Sequence, residues 1–124
     1  MSAEENKRAA KDGYDAFARG DADAAMANIS DSIEWVVGGD SSVTGTYHGK
    51  AEVGKFWGQL AGKGFQGNAS EFIADGNKVA VLTANSVAGQ KASGVDILTY
   101  EGEGQLVRFE SFGGEEVLDR VFPK

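Results

Sequence analysis

The sequence lacks cysteine and contains one histidine, His48, and one proline among its 124 residues. Without cysteine the chain has no disulfide, no thiol nucleophile and no thiolate metal ligand, and one histidine provides little for a zinc site. Basic residues are also few, since 12 Lys and Arg stand against 19 Asp and Glu, for a net charge of -7. This charge opposes attraction to nucleic acid phosphates and anionic lipids. We therefore predict no nucleic acid partner, no membrane partner, and no metal or other cofactor.

Long apolar segments are absent as well. No run approaches the roughly 20 apolar residues that a transmembrane helix needs, and residues 1–5 lack the basic-then-apolar order of a signal peptide. These features predict a cytoplasmic protein. A chain of this length can form one core that encloses a small cavity but is too short for a second folding unit, so we expect one domain over residues 1–124.

The first part of the chain has the residue spacing of helices. Residues 3–19 are rich in Ala, Lys, Arg and Glu, and Gly20 follows as a stop. Asp21 can cap a second, short helix over residues 22–29. A third helix is predicted over residues 50–61, although its internal glycines each cost about 1 kcal/mol relative to alanine.

Extended segments dominate the rest of the chain. A first strand is predicted over residues 32–37, followed by a loop rich in Gly, Ser and Thr over residues 38–49. Four further strands are separated by short turns, so they should be antiparallel neighbours; they cover residues 65–74, 78–87, 91–100 and 105–112. Residues 115–122 fit either a short helix or a final strand. Helices followed by a strand meander predict an α+β fold, with the helices on one face of a curved antiparallel sheet.

One carboxylate, Asp96, lies among apolar neighbours inside the strand-like segment 94–100. A buried carboxylate without a partner costs several kcal/mol or stays protonated, so such a residue usually has a partner or a chemical role. Two interpretations are open. Asp96 either hydrogen-bonds a loop amide, a lysine or a tyrosine hydroxyl without any chemistry, or it contributes to a pocket.

The order of the elements and four local segments resemble the nuclear transport factor 2-like superfamily, in particular its SnoaL-like and ketosteroid isomerase-like members. The four segments are residues 14–21 in the first helix and its exit, 33–35 in the first strand, 45–49 before the third helix, and 96–112 in the last hairpin. The resemblance covers nearly the whole chain. It implies a cystatin-like cone, in which a curved, antiparallel-rich sheet wraps around the N-terminal helices. It also implies a ligand pocket at the open end and commonly a homodimer formed through the sheet.

Residue by residue, the resemblance implies that Tyr14 is the helix-borne phenol of the isomerase oxyanion hole and that Asp96 is the protonated acid beside it. Two neutral O–H donors that converge on a carbonyl oxygen stabilise the charge that develops when a neighbouring carbon loses a proton. The isomerases have an aspartate base in the first strand, and Trp35 stands at that position here. Glu34 is one residue away, which points its side chain to the opposite face of the strand.

The predicted pocket is lined by aromatic, apolar and small polar side chains. They are Trp35, Phe56, Thr83, Asn85, Leu98, Tyr100, Phe109 and Ser111. Trp35 is expected to form an aromatic wall that reduces the cavity and favours a flat or small ligand. Thr83 and Asn85 alternate with apolar neighbours and either place polar groups inside the cone or face solvent. Arg108 and Glu110 lie on the other face of the last strand and should point outward.

These observations predict a domain that binds a small apolar or carbonyl-containing ligand. If it is an enzyme, Tyr14 and Asp96 would act as donors in the enolisation of a carbonyl compound by an isomerase or cyclase. The alternative is a non-catalytic ligand carrier or dimerisation module, favoured by Trp35 at the position of the base and by Gly114 where many members carry an acid. A cavity open to Tyr14 and Asp96 favours ligand chemistry. His48 is expected to be a solvated loop residue.

Overall fold

The computed structural model describes residues 2–102 and 104–124. Within these residues the chain forms four helices and six strands. The helices are α1 (Ala3–Ala18), α2 (Ala22–Met26), α3 (Gly49–Gly62) and α4 (Glu115–Val121). The strands are β1 (Ile29–Val37), β2 (Gly45–His48), β3 (Ala69–Asp75), β4 (Lys78–Val87), β5 (Gln90–Glu101) and β6 (Gln105–Phe112). The predicted α+β class is therefore confirmed, and residues 115–121 are helical.

The six strands form one curved sheet in the order β2-β1-β6-β5-β4-β3. The neighbours β3 to β6 pair antiparallel, as predicted, whereas β1 pairs parallel with β6. Register shifts interrupt the β1–β6, β3–β4 and β5–β6 ladders. Such bulges bend a strand and increase its twist, so they help to curve the sheet around the helices.

Local signals explain where α1 begins and which way it faces. Ser2 and Glu5 form a capping box, because the Ser2 hydroxyl accepts from the Glu5 amide at 3.1 Å and the Glu5 carboxylate accepts from the Ser2 amide at 3.1 Å. Ala10, Tyr14 and Phe17 recur at helical spacing and pack onto the core. The helix lies against β3 and β4, which places Tyr14 over the sheet.

Three predicted element boundaries are wrong. The second helix ends at Met26, because Ile29 is buried and pairs with Leu106 as the start of β1. The predicted loop over residues 38–49 contains β2, a short strand that pairs antiparallel with the preceding strand β1. The third strand starts at Ala69, since Phe65 packs its ring against Phe17 outside the sheet. Each boundary depends on a tertiary partner, which local propensity does not reveal.

The core lies between the helices and the inner face of the sheet. Its most completely buried side chains come from β1, α3, β4 and the segment before β2, and they are Ile33, Val43, Val53, Val79, Val81 and Val87. His48 is exposed, as expected, although it ends β2 and precedes α3 instead of lying in a loop. No helix among the described residues is long and apolar enough to span a membrane.

Candidate ligand-binding site

A cavity of about 310 Å³ lies between the inner face of the sheet and the helices. Its walls are mainly aromatic and aliphatic, with a few polar groups. The structure brings together in this cavity all ten residues that the sequence singled out: Tyr14, Trp35, Phe56, Thr83, Asn85, Leu98, Tyr100, Phe109, Ser111 and Asp96. They come from α1, α3 and four strands, so the curvature of the sheet is what places them around one space.

The polar centre of the cavity is a three-residue network around Asp96. Asp96 on β5 lies opposite Ser111 on β6, and the Ser111 hydroxyl donates to Asp96 Oδ1 at 2.8 Å. Tyr14 reaches down from α1 and donates its hydroxyl to Asp96 Oδ2. Asp96 is only 4% exposed. Both carboxyl oxygens therefore have a neutral hydroxyl partner, which is how this buried group is accommodated.

Burial dominates the electrostatics of this network. It raises the pKa of Asp96, and the hydrogen bonds from Tyr14 and Ser111 partly offset this because they favour the ionised form. Burial, followed by the nearby charge of Asp96, raises the pKa of Tyr14 well above its usual range. Burial raises the pKa of Tyr100 as well. Both phenols consequently keep their protons at physiological pH, and Asp96 is the group whose protonation can change.

The direction of the Tyr14 hydroxyl matters for what the site can do. An ionised carboxylate only accepts hydrogen bonds, so it uses the single proton of Tyr14 and leaves none for a ligand. A neutral Asp96 has a proton of its own to donate, which releases the Tyr14 proton for a ligand oxygen. The two converging donors that the family resemblance implies are thus available in only one protonation state of Asp96.

Stacked rings form the wall beside this network. Trp35 and Phe109 are register partners on the parallel strands β1 and β6, and their rings stack with centroids 3.7 Å apart and planes 9° apart. Trp57 from α3 packs edge-on against Trp35 at 5.6 Å. Tyr14 has its own ring neighbour, Phe72, at 5.7 Å and 77°. Trp35 is therefore part of a wall held by Phe109 and Trp57, while Phe72 and Asp96 hold Tyr14.

Thr83 and Asn85 both line the cavity, and each is engaged by backbone. The Thr83 hydroxyl donates to the Gly94 carbonyl at 3.1 Å, and Asn85 Oδ1 accepts from the Asn68 amide at 3.0 Å. The sequence reading did not assign to the pocket the rings of Phe17, Trp57, Phe65 and Phe72. Phe17 and Trp57 lie on the apolar faces of their helices, and this pattern in the sequence indicates that their rings point towards the core.

The charged residues of the cavity wall are all acidic. Asp12 and Asp15, exposed on α1, join Asp96 among the lining residues, and no Lys, Arg or His does so in the part of the chain that the structure describes. The described residues also contain no cluster of three or more His, Cys, Asp or Glu that could hold a metal ion.

Comparison with known proteins places this geometry in a family. The model of the SnoaL-like domain matches residues 10–109. A nuclear transport factor 2-like protein of unknown function from Burkholderia pseudomallei is similar over 100% of both chains, with 22% identity and a TM-score of 0.83. A cystatin-like protein of unknown function from Xanthomonas campestris is 26% identical, with a TM-score of 0.80 and coverage of 94% of this chain and 96% of that chain.

A third similar structure, TerC co-crystallised with polyporic acid, is 21% identical, with a TM-score of 0.77 and coverage of 94% of this chain and 96% of that chain. No curated protein matches the chain at a significant level. The family match covers most of the chain, and the similar structures share its fold from end to end. The chain therefore belongs to the SnoaL-like domain family, and it shares its fold with the nuclear transport factor 2-like protein from Burkholderia pseudomallei.

Proposed function

We propose that this protein binds a small, largely apolar molecule in the cavity, with Tyr14, Asp96 and Ser111 as its polar anchor. The observation that carries this proposal is that Asp96, 4% exposed, has its carboxyl group held by two hydroxyls in the wall of a 310 Å³ space. Apolar cavities of roughly 300–1,000 Å³ with a few convergent polar groups are typical ligand sites. The co-crystal of the similar TerC with a small molecule supports the same use of the fold.

Enolisation of a carbonyl compound, by an isomerase or cyclase, is the second candidate function. It is favoured by the raised pKa of Asp96, because a neutral acid beside Tyr14 provides the two donors that an enolate oxygen needs. A base is harder to assign. Trp35 occupies the position of the isomerase aspartate, and Glu34 forms an ion pair with Arg108 at 3.7 Å on the other face of the sheet. Ligand binding without turnover is therefore the better-supported function.

We also propose a homodimer formed through the outer face of the sheet. Arg108 lies on this face between Glu34 and Glu110, at 3.7 and 3.4 Å, and Ile73 on β3 is 53% exposed. Charged groups of both signs and an exposed apolar side chain on one face can pair with the same groups of a second copy across a two-fold axis. Light scattering should give the mass of a dimer, and the charge reversal Arg108→Glu should shift it towards the monomer.

A thermal-shift screen of ketones, lactones, terpenoid compounds and apolar amines tests the binding proposal. A ligand that binds only the folded protein raises its stability, by about 2.7 kcal/mol at a concentration of 100 Kd. Hits should lose affinity in Asp96→Asn but keep it in Glu110→Gln, which removes one carboxylate from the outer face of the neighbouring strand. The proposal fails if no compound raises Tm, or if the two variants respond alike.

A further inference from the structure

Asp96 has no ion-pair partner among the residues that the structure describes. Its hydrogen-bond partners Tyr14 and Ser111 are neutral hydroxyls. A buried carboxyl group is usually paired with a cation, bound to a metal or protonated. The anionic form of Asp96 therefore lacks one partner that a ligand could supply.

The surrounding wall has the same polarity. Asp12 and Asp15 add two exposed carboxylates on α1, and the described lining residues include no basic side chain. Lys11, their neighbour on α1, is exposed and lies 5.7 Å from the centroid of the Phe72 ring, outside the set of lining residues. With a net charge of -7 on the whole chain, the cavity disfavours anionic ligands and favours cations.

Aromatic rings supply the second element of a cation site. Trp35, stacked on Phe109, and Trp57 line the same cavity as Asp96, as do Tyr14 and Phe72. The face of an aromatic ring carries negative potential, which attracts an ammonium group within about 6 Å of the centroid. The same rings also bury an apolar body, so they fit a molecule with one cationic end and an otherwise apolar frame.

We propose that the ligand of this cavity is an amine with an apolar, ring-containing body, whose ammonium group pairs with the ionised carboxylate of Asp96. This proposal rests on the proposed binding function and names the chemical class of the ligand. A carboxylate has about four acceptor positions, and Tyr14 and Ser111 use two of them. The N–H groups of an ammonium can use the remaining positions while the two hydroxyls hold the carboxylate in place.

Amine binding and carbonyl binding call for opposite protonation states of Asp96. An ammonium favours the ionised acid, so its affinity should rise with pH until Asp96 is fully ionised, whereas a carbonyl ligand should lose affinity over the same range. Tyr14 from α1 and Ser111 from β6 hydrogen-bond to Asp96, and Tyr100, further along β5, lines the same cavity and contributes to the raised pKa of Tyr14. Because both phenols stay protonated near neutral pH, Asp96 itself is the source of this pH dependence.

The test compares three probes with the same naphthalene body and different charge. They are the cation 2-(1-naphthyl)ethylammonium, the neutral 2-(1-naphthyl)ethanol and the anion 1-naphthaleneacetate. Titration calorimetry on the intact protein at neutral pH measures the Kd of each. We expect the amine to bind at least about tenfold more tightly than the alcohol, and the acetate to bind most weakly. If the alcohol or the acetate binds as tightly as the amine, the amine proposal is overturned while the binding function stands. If none of the three binds, both proposals fail.

Variants then locate the charge that matters. Asp96→Asn keeps the shape of the side chain and should remove the preference for the amine, with little change in the Kd of the alcohol. The outer-face control Glu110→Gln should retain the preference, whereas Asp12→Asn and Asp15→Asn should weaken it less than Asp96→Asn does. An amine preference that survives in Asp96→Asn, or that disappears in a variant of the α1 carboxylates, rules out Asp96 as the partner. The comparison of the three probes on the unmodified chain remains decisive even if a variant fails to fold.

Discussion

Tyr14 and Asp96, which are 82 positions apart in the sequence, share a hydrogen bond in the wall of the cavity. The phenol donates to one carboxyl oxygen while Ser111 donates to the other, so the orientation of the carboxyl group is fixed from two sides. This arrangement makes the proton of Asp96 the variable that determines what the site offers to a ligand. A neutral Asp96 presents donors, and an ionised Asp96 presents a negative charge.

The stability of the protein should depend on pH through Asp96. Its pKa in the folded protein is raised above the ordinary value of 3.8, so the folded state holds this proton more tightly than the unfolded state. The associated stability is present below 3.8 and is lost as pH rises through the raised pKa. Asp96→Asn should not lose this stability, because asparagine does not ionise. In urea unfolding, the variant should match the parent at low pH and become the more stable of the two towards neutral pH. A difference that grows on acidification would contradict the assignment.

Removing the Tyr14 hydroxyl should raise the pKa of Asp96 further, because that hydrogen bond favours the ionised form. Tyr14→Phe should also cost about 1–3 kcal/mol at neutral pH, since one buried carboxylate oxygen loses its donor. A carbon-13 NMR titration of the Asp96 carboxyl measures the pKa.

Tyr47→Phe is the matched control for this variant. Its hydroxyl donates to the Val43 carbonyl at 2.6 Å, away from the carboxyl group. Tyr47→Phe should lower the stability of the protein and leave the pKa of Asp96 unchanged. An equal pKa change in both variants would mean that Tyr14 has no specific influence on the acid.

Trp35 should determine the size of the cavity. Trp35→Ala removes a ring stacked on Phe109 at 3.7 Å and should cost about 2–4 kcal/mol, somewhat below a fully buried tryptophan because Trp35 is only partly buried. It should also admit bulkier ligands than the parent protein binds. Trp35→Phe keeps a ring that can stack on Phe109. Beyond the effect of its smaller buried area, it should lower the free energy of unfolding by about 1 kcal/mol or less. Urea unfolding and competition binding with probes of increasing size measure both effects.

The close approach of β5 and β6 beside the site should make Gly94 irreplaceable. A Cβ on Gly94 would lie 2.0 Å from the Phe112 carbonyl oxygen, so Gly94→Ala must separate the strands next to the Asp96–Ser111 pair. We expect a loss of more than about 2 kcal/mol, within the range of severe overpacking. Gly58→Ala in α3 meets nothing within 4 Å and should instead gain about 0.5–1 kcal/mol. Similar unfolding midpoints for the two variants would contradict this prediction.

Much of the fold follows from local patterns in the sequence. The period of the apolar residues distinguishes α1 and α3 from the strands, and the short turns between β3 and β6 predict their antiparallel pairing, as the structure confirms. The wrong boundaries lie where pairing with a distant segment decides the conformation. The start of β1 is an example, because Ile29 is extended where it pairs with Leu106 on β6.

In the candidate site, too, the sequence indicates individual residues, and the tertiary structure decides their contacts. The sequence by itself singled out Asp96 as a carboxylate in an apolar strand, and the family resemblance helped to name ten of the residues that line the cavity. Only the tertiary structure decided that Asp96 accepts from Tyr14 and Ser111 and that Trp35 stacks on Phe109. Periodicity records the local backbone, whereas contacts between distant residues depend on register, bulges and sheet curvature. Those long-range features determine which side chains share a hydrogen bond and which charge is left for a ligand to neutralise.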